Sequence, residues 1–239
     1  MAAHPMQNEA RLLLEQGRTH LNSTDEAPAL GYFQRALALL ELENDSSLKA
    51  DVLNTLGLTY DRRGRRELAV GCFERARAVA ENVGDARLVA MTEHNLGLMQ
   101  FRRGRWEAAL QRFERAEATL REPGARFLPL TVHFAAAAHE RLGRHERAME
   151  LYGRALELLA DGSNPRERAK VYANMAWLHR RCGRHHAAYV AFTEALRELR
   201  ASGSKGGRRI ALHAVAQALR VGRPLDAARF SVQLLSRRA

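Results

Sequence analysis

Lysine, cysteine, proline and aromatic residues are all scarce in this chain. Of its 38 basic residues only three are lysines, and its 239 residues include two cysteines and six prolines. Cys72 and Cys182 lie far apart and fit no metal-ligand spacing, which argues against a cysteine zinc site. Cys72 precedes Phe73 on an expected helix and reads as a reduced, buried thiol. Aromatic residues make up 6%, which suits a core built mainly from Ala and Leu, and an apolar content of 46% is ample for one. Residues 1–10 hold no apolar run of the kind a signal peptide needs, and no later run is long enough to cross a membrane. A cytoplasmic chain is therefore expected, in which the sequons at Asn22 and Asn44 carry no meaning. There is no P-loop, no Rossmann glycine pattern and no serine elbow. His139-Glu140 and His145-Glu146 resemble fragments of a zinc-protease helix, but the histidines stand six apart with Gly143 between them, not four apart on one helix. No catalytic residue, metal or cofactor is expected, and the chain does not read as an enzyme. No segment reads as a strand.

What the chain does contain is repetition. Leu53, Leu56-Gly57, Tyr60, Gly64-Arg65, Ala69, Phe73 and Ala76 space apolar and small residues as two amphipathic helices joined by a tight turn would. The pattern returns at Leu96-Gly97, Gly104-Arg105, Ala109 and Phe113, at Gly143-Arg144, Ala148 and Tyr152, and at Met175-Ala176, Gly183-Arg184, Ala188 and Phe192. The bulky column Phe33, Phe73, Phe113, Tyr152, Phe192, Ser231 advances by 39 or 40 residues at each step, a period that signals a solenoid. The expectation is one all-α domain over residues 1–239, with repeats at 7–43, 47–83, 86–122, 128–161, 165–201 and 207–238. The turn glycines, among them Gly64 and Gly143, are expected at positive φ. Gly57, Gly97, Ala136 and Ala176 are expected to face Ala69, Ala109, Ala148 and Ala188 where the helices of a pair touch. The Asn44–Ser47 stretch and Asn164 are expected caps, and Pro165 an expected first helical residue.

Leu56-Gly57-x-x-Tyr60 followed by Ala69-x3-Phe73-x2-Ala76 resembles the tetratricopeptide repeat pattern. Leu53 stands where that family usually has Trp, no Pro closes any helix pair, and each unit exceeds the usual length of about 34 residues. The longer unit is similar to the repeats of kinesin light chains, Partner of Inscuteable and bacterial signal-regulator sensor domains. The resemblance implies a right-handed superhelical solenoid of six helix pairs that acts as a protein-binding scaffold. In that family the first helix of each pair lines a concave groove that holds peptide segments. Carried onto this sequence, the groove would present Asn54, His94 and His133 in one column and Asn95, Phe134 and Asn174 beside it, with Trp177 one turn on. Arg62, Arg102, Arg141 and Arg181 would stand near the helix ends. Asn and His can bond a peptide backbone, Phe134 and Trp177 can take an apolar anchor, and the arginines can clamp carboxylates, so the expected ligand is a peptide, acidic if the arginines take part. The alternative for the arginines is a solvated row at helix C-termini, where the dipole favours cations.

The net charge is +11 and unevenly placed, with nine basic residues and a single acid, Asp226, from Arg200 onward. Lys205, Arg208, Arg209, Arg220, Arg223, Arg237 and Arg238 could contact phosphates. Only Phe230 lies near for stacking, and there is no nucleic-acid fold signature. A regulator or sensor that engages nucleic acid, or a DNA-bound regulator, through this basic end is therefore the second reading. Ser231 and Leu234 break the packing columns, which would leave Phe230, Val232 or Leu235 to a partner or to a second copy, giving a homodimer through the C-terminal repeat.

Overall fold

The computed structural model describes residues 5–22, 26–41, 46–119, 127–160, 162, 164–203 and 208–228. It divides into two compact units, Met1–Pro123 and Gly124–Ala239. Unit 1 holds α1 (Pro5–Asn22), α2 (Glu26–Glu41), α3 (Ser47–Arg62), α4 (Arg66–Asn82), α5 (Ala86–Arg102) and α6 (Trp106–Thr119). Unit 2 holds α7 (Leu128–Arg141), α8 (His145–Leu158), α9 (Pro165–Arg181), α10 (His185–Ala201) and α11 (Arg208–Arg220). Residues 224–228 are helical again after Gly222, and no strand occurs among the described residues.

Two kinds of link alternate, as the turn chemistry requires. Within a pair the helix ends on a left-handed glycine. Gly64 (φ 72°) lets its own N–H bond the Asp61 carbonyl at 2.9 Å while the Arg65 N–H bonds the Tyr60 carbonyl at 2.8 Å. The following helix, α4, then starts without a side-chain cap. The links between pairs also carry left-handed glycines, Gly84 (φ 69°) and Gly162 (φ 71°) among them, but there a side chain caps the helix that follows. Ser46 Oγ accepts from the Lys49 N–H, Asp85 from Leu88 and Asn164 from Glu167, the last with Pro165 at the first helical position.

Each pair packs tightly, α1 on α2, α3 on α4 and α5 on α6 in unit 1, and α7 on α8 and α9 on α10 in unit 2. First helices of consecutive pairs also meet, α1 with α3, α3 with α5 and α7 with α9. The core follows the columns. Phe33, Phe73, Phe113, Tyr152 and Phe192 are fully buried, as are Ala36, Ala76, Ala116, Ala155 and Ala195. The expected glycine contact needs correction. A Cβ on Gly57 would meet the Phe73 ring at 2.5 Å, and one on Gly97 the Phe113 ring at 2.6 Å, so ring atoms and not Ala69 or Ala109 are the nearest neighbours. Each Phe lies one turn beyond its Ala on the same helix face, and its longer side chain reaches the bare backbone first.

This predicts opposite signs for two glycine substitutions. Gly97→Ala forces the Phe113 ring out of its seat and should lower stability by about 1–3 kcal/mol. Gly71, exposed within α4 with no atom within 4 Å of an added Cβ, should gain about 0.5–1 kcal/mol as Ala. Denaturant unfolding of the two variants checks the pair, and equal effects would refute the ring-on-glycine contact.

Candidate functional site

The first helices carry polar residues on the face that meets the next first helix. In unit 1, Asn95 Nδ2 on α5 donates to Asn54 Oδ1 on α3 at 2.8 Å, with both side chains buried. One helical stretch further on, Arg102 forms an ion pair with Asp61. In unit 2, Asn174 Nδ2 on α9 lies 2.9 Å from His133 Nε2 on α7, and Arg181 Nη1 donates to Glu140 Oε1 at 3.3 Å. All four pairs span 41 residues, one repeat plus one position. The unit 2 set lies 79 residues after its unit 1 counterpart, so the same polar ladder is written twice.

Unit 2 elaborates the ladder. Tyr152 takes the column that Phe73 and Phe113 fill in unit 1, and its hydroxyl donates to Glu140 Oε2 at 2.9 Å. Burial, followed by the Glu140 carboxylate, raises the phenol far above its ordinary pKa. Burial also lowers His133 to about 4. Lys170 adds to that shift and Glu167 opposes it. The ring is therefore neutral at pH 7 and can accept from the Asn174 amide. Beyond it Trp177 lies half-buried, its ring edge-on to His213 (4.1 Å) and to Phe192 (5.2 Å), with the Arg180 guanidinium 4.7 Å from its centre.

The expected groove residues thus divide by exposure. Asn54, His94, Asn95 and His133 are buried, with Asn54 bonded to Asn95 and His133 to Asn174. Phe134, Asn174 and Trp177 are half-buried, and Arg62, Arg102, Arg141 and Arg181 are exposed. His133 stacks on Phe134 at 5.3 Å. Sequence reading missed Asp61 and Glu140, the acids that hold Arg102 and Arg181; an acid followed by an arginine one repeat plus one position later is the signal that would have found them. It also missed a cluster in which Arg112 on α6 pairs with buried Glu93 on α5 (3.1 Å) and with Glu74 on α4 (3.1 Å), which in turn pairs with Arg77. Of the basic end, Arg220 is exposed and Arg223 pairs with Asp226 at 3.0 Å. Arg208 and Arg209 open α11, while Lys205, Phe230, Ser231, Val232, Leu234, Leu235, Arg237 and Arg238 lie outside the described residues. Cys72 is half-buried with its thiol pushed up by burial, and Cys182 is exposed. No group of three metal-ligating side chains converges among the described residues, and no described helix is long and apolar enough to cross a membrane.

Helix pairs stacked through their first helices define a helical-repeat protein. Models of the tetratricopeptide repeat match residues 8–82, 48–122 and 131–166, and the chain belongs to the tetratricopeptide repeat family. No curated protein sequence matches the chain. Among solved structures it is similar to PilF of Pseudomonas aeruginosa (19% identity, 97% of this chain and 92% of that one, TM-score 0.74). It is also similar to PilW, a type IV pilus biogenesis factor (15% identity, 98% and 94% covered, TM-score 0.72), and to the apo quorum sensor NprR of B. thuringiensis (14%, 95% and 64%, TM-score 0.72). At such identities these likenesses establish the all-α repeat fold.

The His133 rung predicts a pH dependence. The fold favours the neutral ring, so on acidification the unfolded chain takes up the proton first. The associated stability, on the order of 3 kcal/mol, is complete above about pH 6.5 and is lost as pH falls through about 4. His133→Asn rebuilds the amide rung found at Asn54 and should flatten this part of the profile in thermal unfolding from pH 7 to 4. Parallel profiles for the two proteins would contradict the assignment.

Proposed function

We propose that the chain is a non-catalytic scaffold that binds a peptide segment of a partner protein on the face of its first helices. The observation that carries this is Trp177, a half-exposed indole with Arg180 over its ring and His213 at its edge, on the same helix as Arg181. A large apolar surface flanked by cations suits an apolar anchor followed by carboxylates. Phe134 and Arg141 on α7 extend the face in unit 2, and Asn174 on α9 is half-buried. Unit 1 by itself carries the corresponding positions: Arg62 and Arg102 are exposed, while Asn54, His94 and Asn95 are buried and the Asn54–Asn95 bond ties α3 to α5. Membership of a family of protein-binding scaffolds supports the general reading. A homodimer through the C-terminal repeat is a separate proposal, and Phe230, Val232 and Leu235, which would carry it, lie outside the described residues.

Selection of a displayed peptide library against the full chain tests the groove. Enriched peptides should combine an aromatic or aliphatic residue with nearby Asp or Glu. Trp177→Ala should weaken them by about 1–3 kcal/mol, while Arg220→Ala leaves them unchanged. The second reading, nucleic acid at the basic end, predicts binding to random duplex DNA whose log K falls by about 0.9 per neutralised phosphate with log salt. Tight, steeply salt-dependent duplex binding that survives Trp177→Ala would displace the peptide reading.

A further inference from the structure

The within-pair turns of unit 1 carry more cations than their own acids neutralise. Residues 61–67 and 102–107 hold seven arginines and three acids, whereas the links between pairs, 41–46 and 81–86, hold five acids and no base. A surplus of arginine in the composition alone would not be sorted by turn in this way. The two turns share one edge of the unit, because Arg102 pairs with Asp61 and Arg103 Nη2 donates to Glu67 Oε1 at 3.2 Å. Those contacts leave Arg63, Arg65, Arg66 and Arg105 exposed, with no ion pair among the described residues. The helix dipole does not account for these four as a set. It favours cations at the ends of α3 and α5, but Arg65 and Arg66 stand at the start of α4 and Arg105 precedes α6, where it disfavours them.

Like charges held on adjoining turns repel one another, and a bound polyanion relieves the repulsion. The cations also recur one repeat apart, Arg63 with Arg103 and Arg65 with Arg105, so the anion that suits them is itself a repeating one. Trp106, half-buried, takes the column that Arg66 fills one repeat earlier. Guanidinium forks suit phosphates, and an aromatic ring among them gives a base something to stack on. We infer that this edge of unit 1 binds a single-stranded nucleic acid, with Arg63, Arg65, Arg66 and Arg105 on its phosphodiester backbone and Trp106 against a base. The inference goes beyond the peptide reading and uses neither Trp177 nor the basic C-terminal end, so it can fail while peptide binding stands, and the reverse.

Fluorescence anisotropy of a labelled oligo(dT) of about 20 nucleotides, titrated with the full chain over a range of salt, tests it. The triple variant Arg63→Gln, Arg66→Gln, Arg105→Gln should bind about tenfold or more weakly. Its slope of log K against log salt should be shallower by about 2, since each lost phosphate contact removes about 0.7. The charge-matched triple variant Arg35→Gln, Arg87→Gln, Arg115→Gln, which removes exposed arginines from elsewhere on unit 1, should bind as wild type does. In a Trp177→Phe background Trp106 is the one indole left, and the oligonucleotide should quench its emission. Equal losses in the two triple variants would overturn the inference, as would an unquenched Trp106. Loss of binding on Arg237→Gln, Arg238→Gln alone would do the same, being the result expected of the basic end. A wild type that leaves the oligonucleotide unbound at low salt also overturns it, whether or not it binds phosphatidylserine vesicles.

Discussion

An aromatic ring pressed onto a bare stretch of backbone is the contact on which the rest depends. Phe33 sits against Gly17, Phe73 against Gly57 and Phe113 against Gly97, and each ring is fully buried. Burying such a ring contributes about 1.5–3 kcal/mol, and the missing Cβ is what lets the two helices approach closely enough to achieve it. Because the ring comes from the second helix and the glycine from the first, the contact sets the rotation of the first helix. That rotation decides which residues meet the neighbouring pair and which remain on the open face. In unit 2 the column residues opposite the rings are Ala136 and Ala176, and one of the rings is Tyr152, whose hydroxyl brings Glu140 into the packing.

The polar ladder on the first helices acts on register more than on overall stability. A neutral amide pair contributes about 0.5–1.5 kcal/mol and a surface ion pair about 0–1, small against the ring column. A slipped register would strand the Asn54, Asn95 or His133 polar atoms inside the contact at a cost of about 1–3 kcal/mol each. The same offset of 41 residues in both units gives two independent instances of one device.

The helices, their turns and the ring column were legible in the sequence because they rest on local periodicity and on glycine at positive φ. The seating of Phe73 over Gly57 was not, since spacing alone cannot say which of two residues one turn apart reaches across to a neighbouring helix. The positions of Asn54, Asn95, His133 and Asn174 on the first helices were legible, but their partners were not. Column alignment compares residues at equal repeat positions, whereas the bonds run between unequal ones, Asn54 to Asn95 and Asp61 to Arg102. The arginine excess hides its partners in the same way. It counts charges without pairing them, and Arg102, Arg103, Arg112, Arg181 and Arg223 all stand against acids.

The pairing bears on what the face can recognise. Arginines held by Asp61 and Glu140 keep their guanidinium forks oriented, so a ligand carboxylate that meets them orders little that is not already ordered. Part of each charge is already satisfied, however, which leaves shape and apolar contact to discriminate between ligands. On that criterion the units are unequal. The neighbouring columns hold Thr55 and Asn95, both buried, in unit 1, but Phe134 and Asn174, both half-exposed, in unit 2, where Trp177 stands one turn on. Under the proposed peptide reading, the groups in unit 2 that could discriminate between ligands therefore lie on α7 and α9.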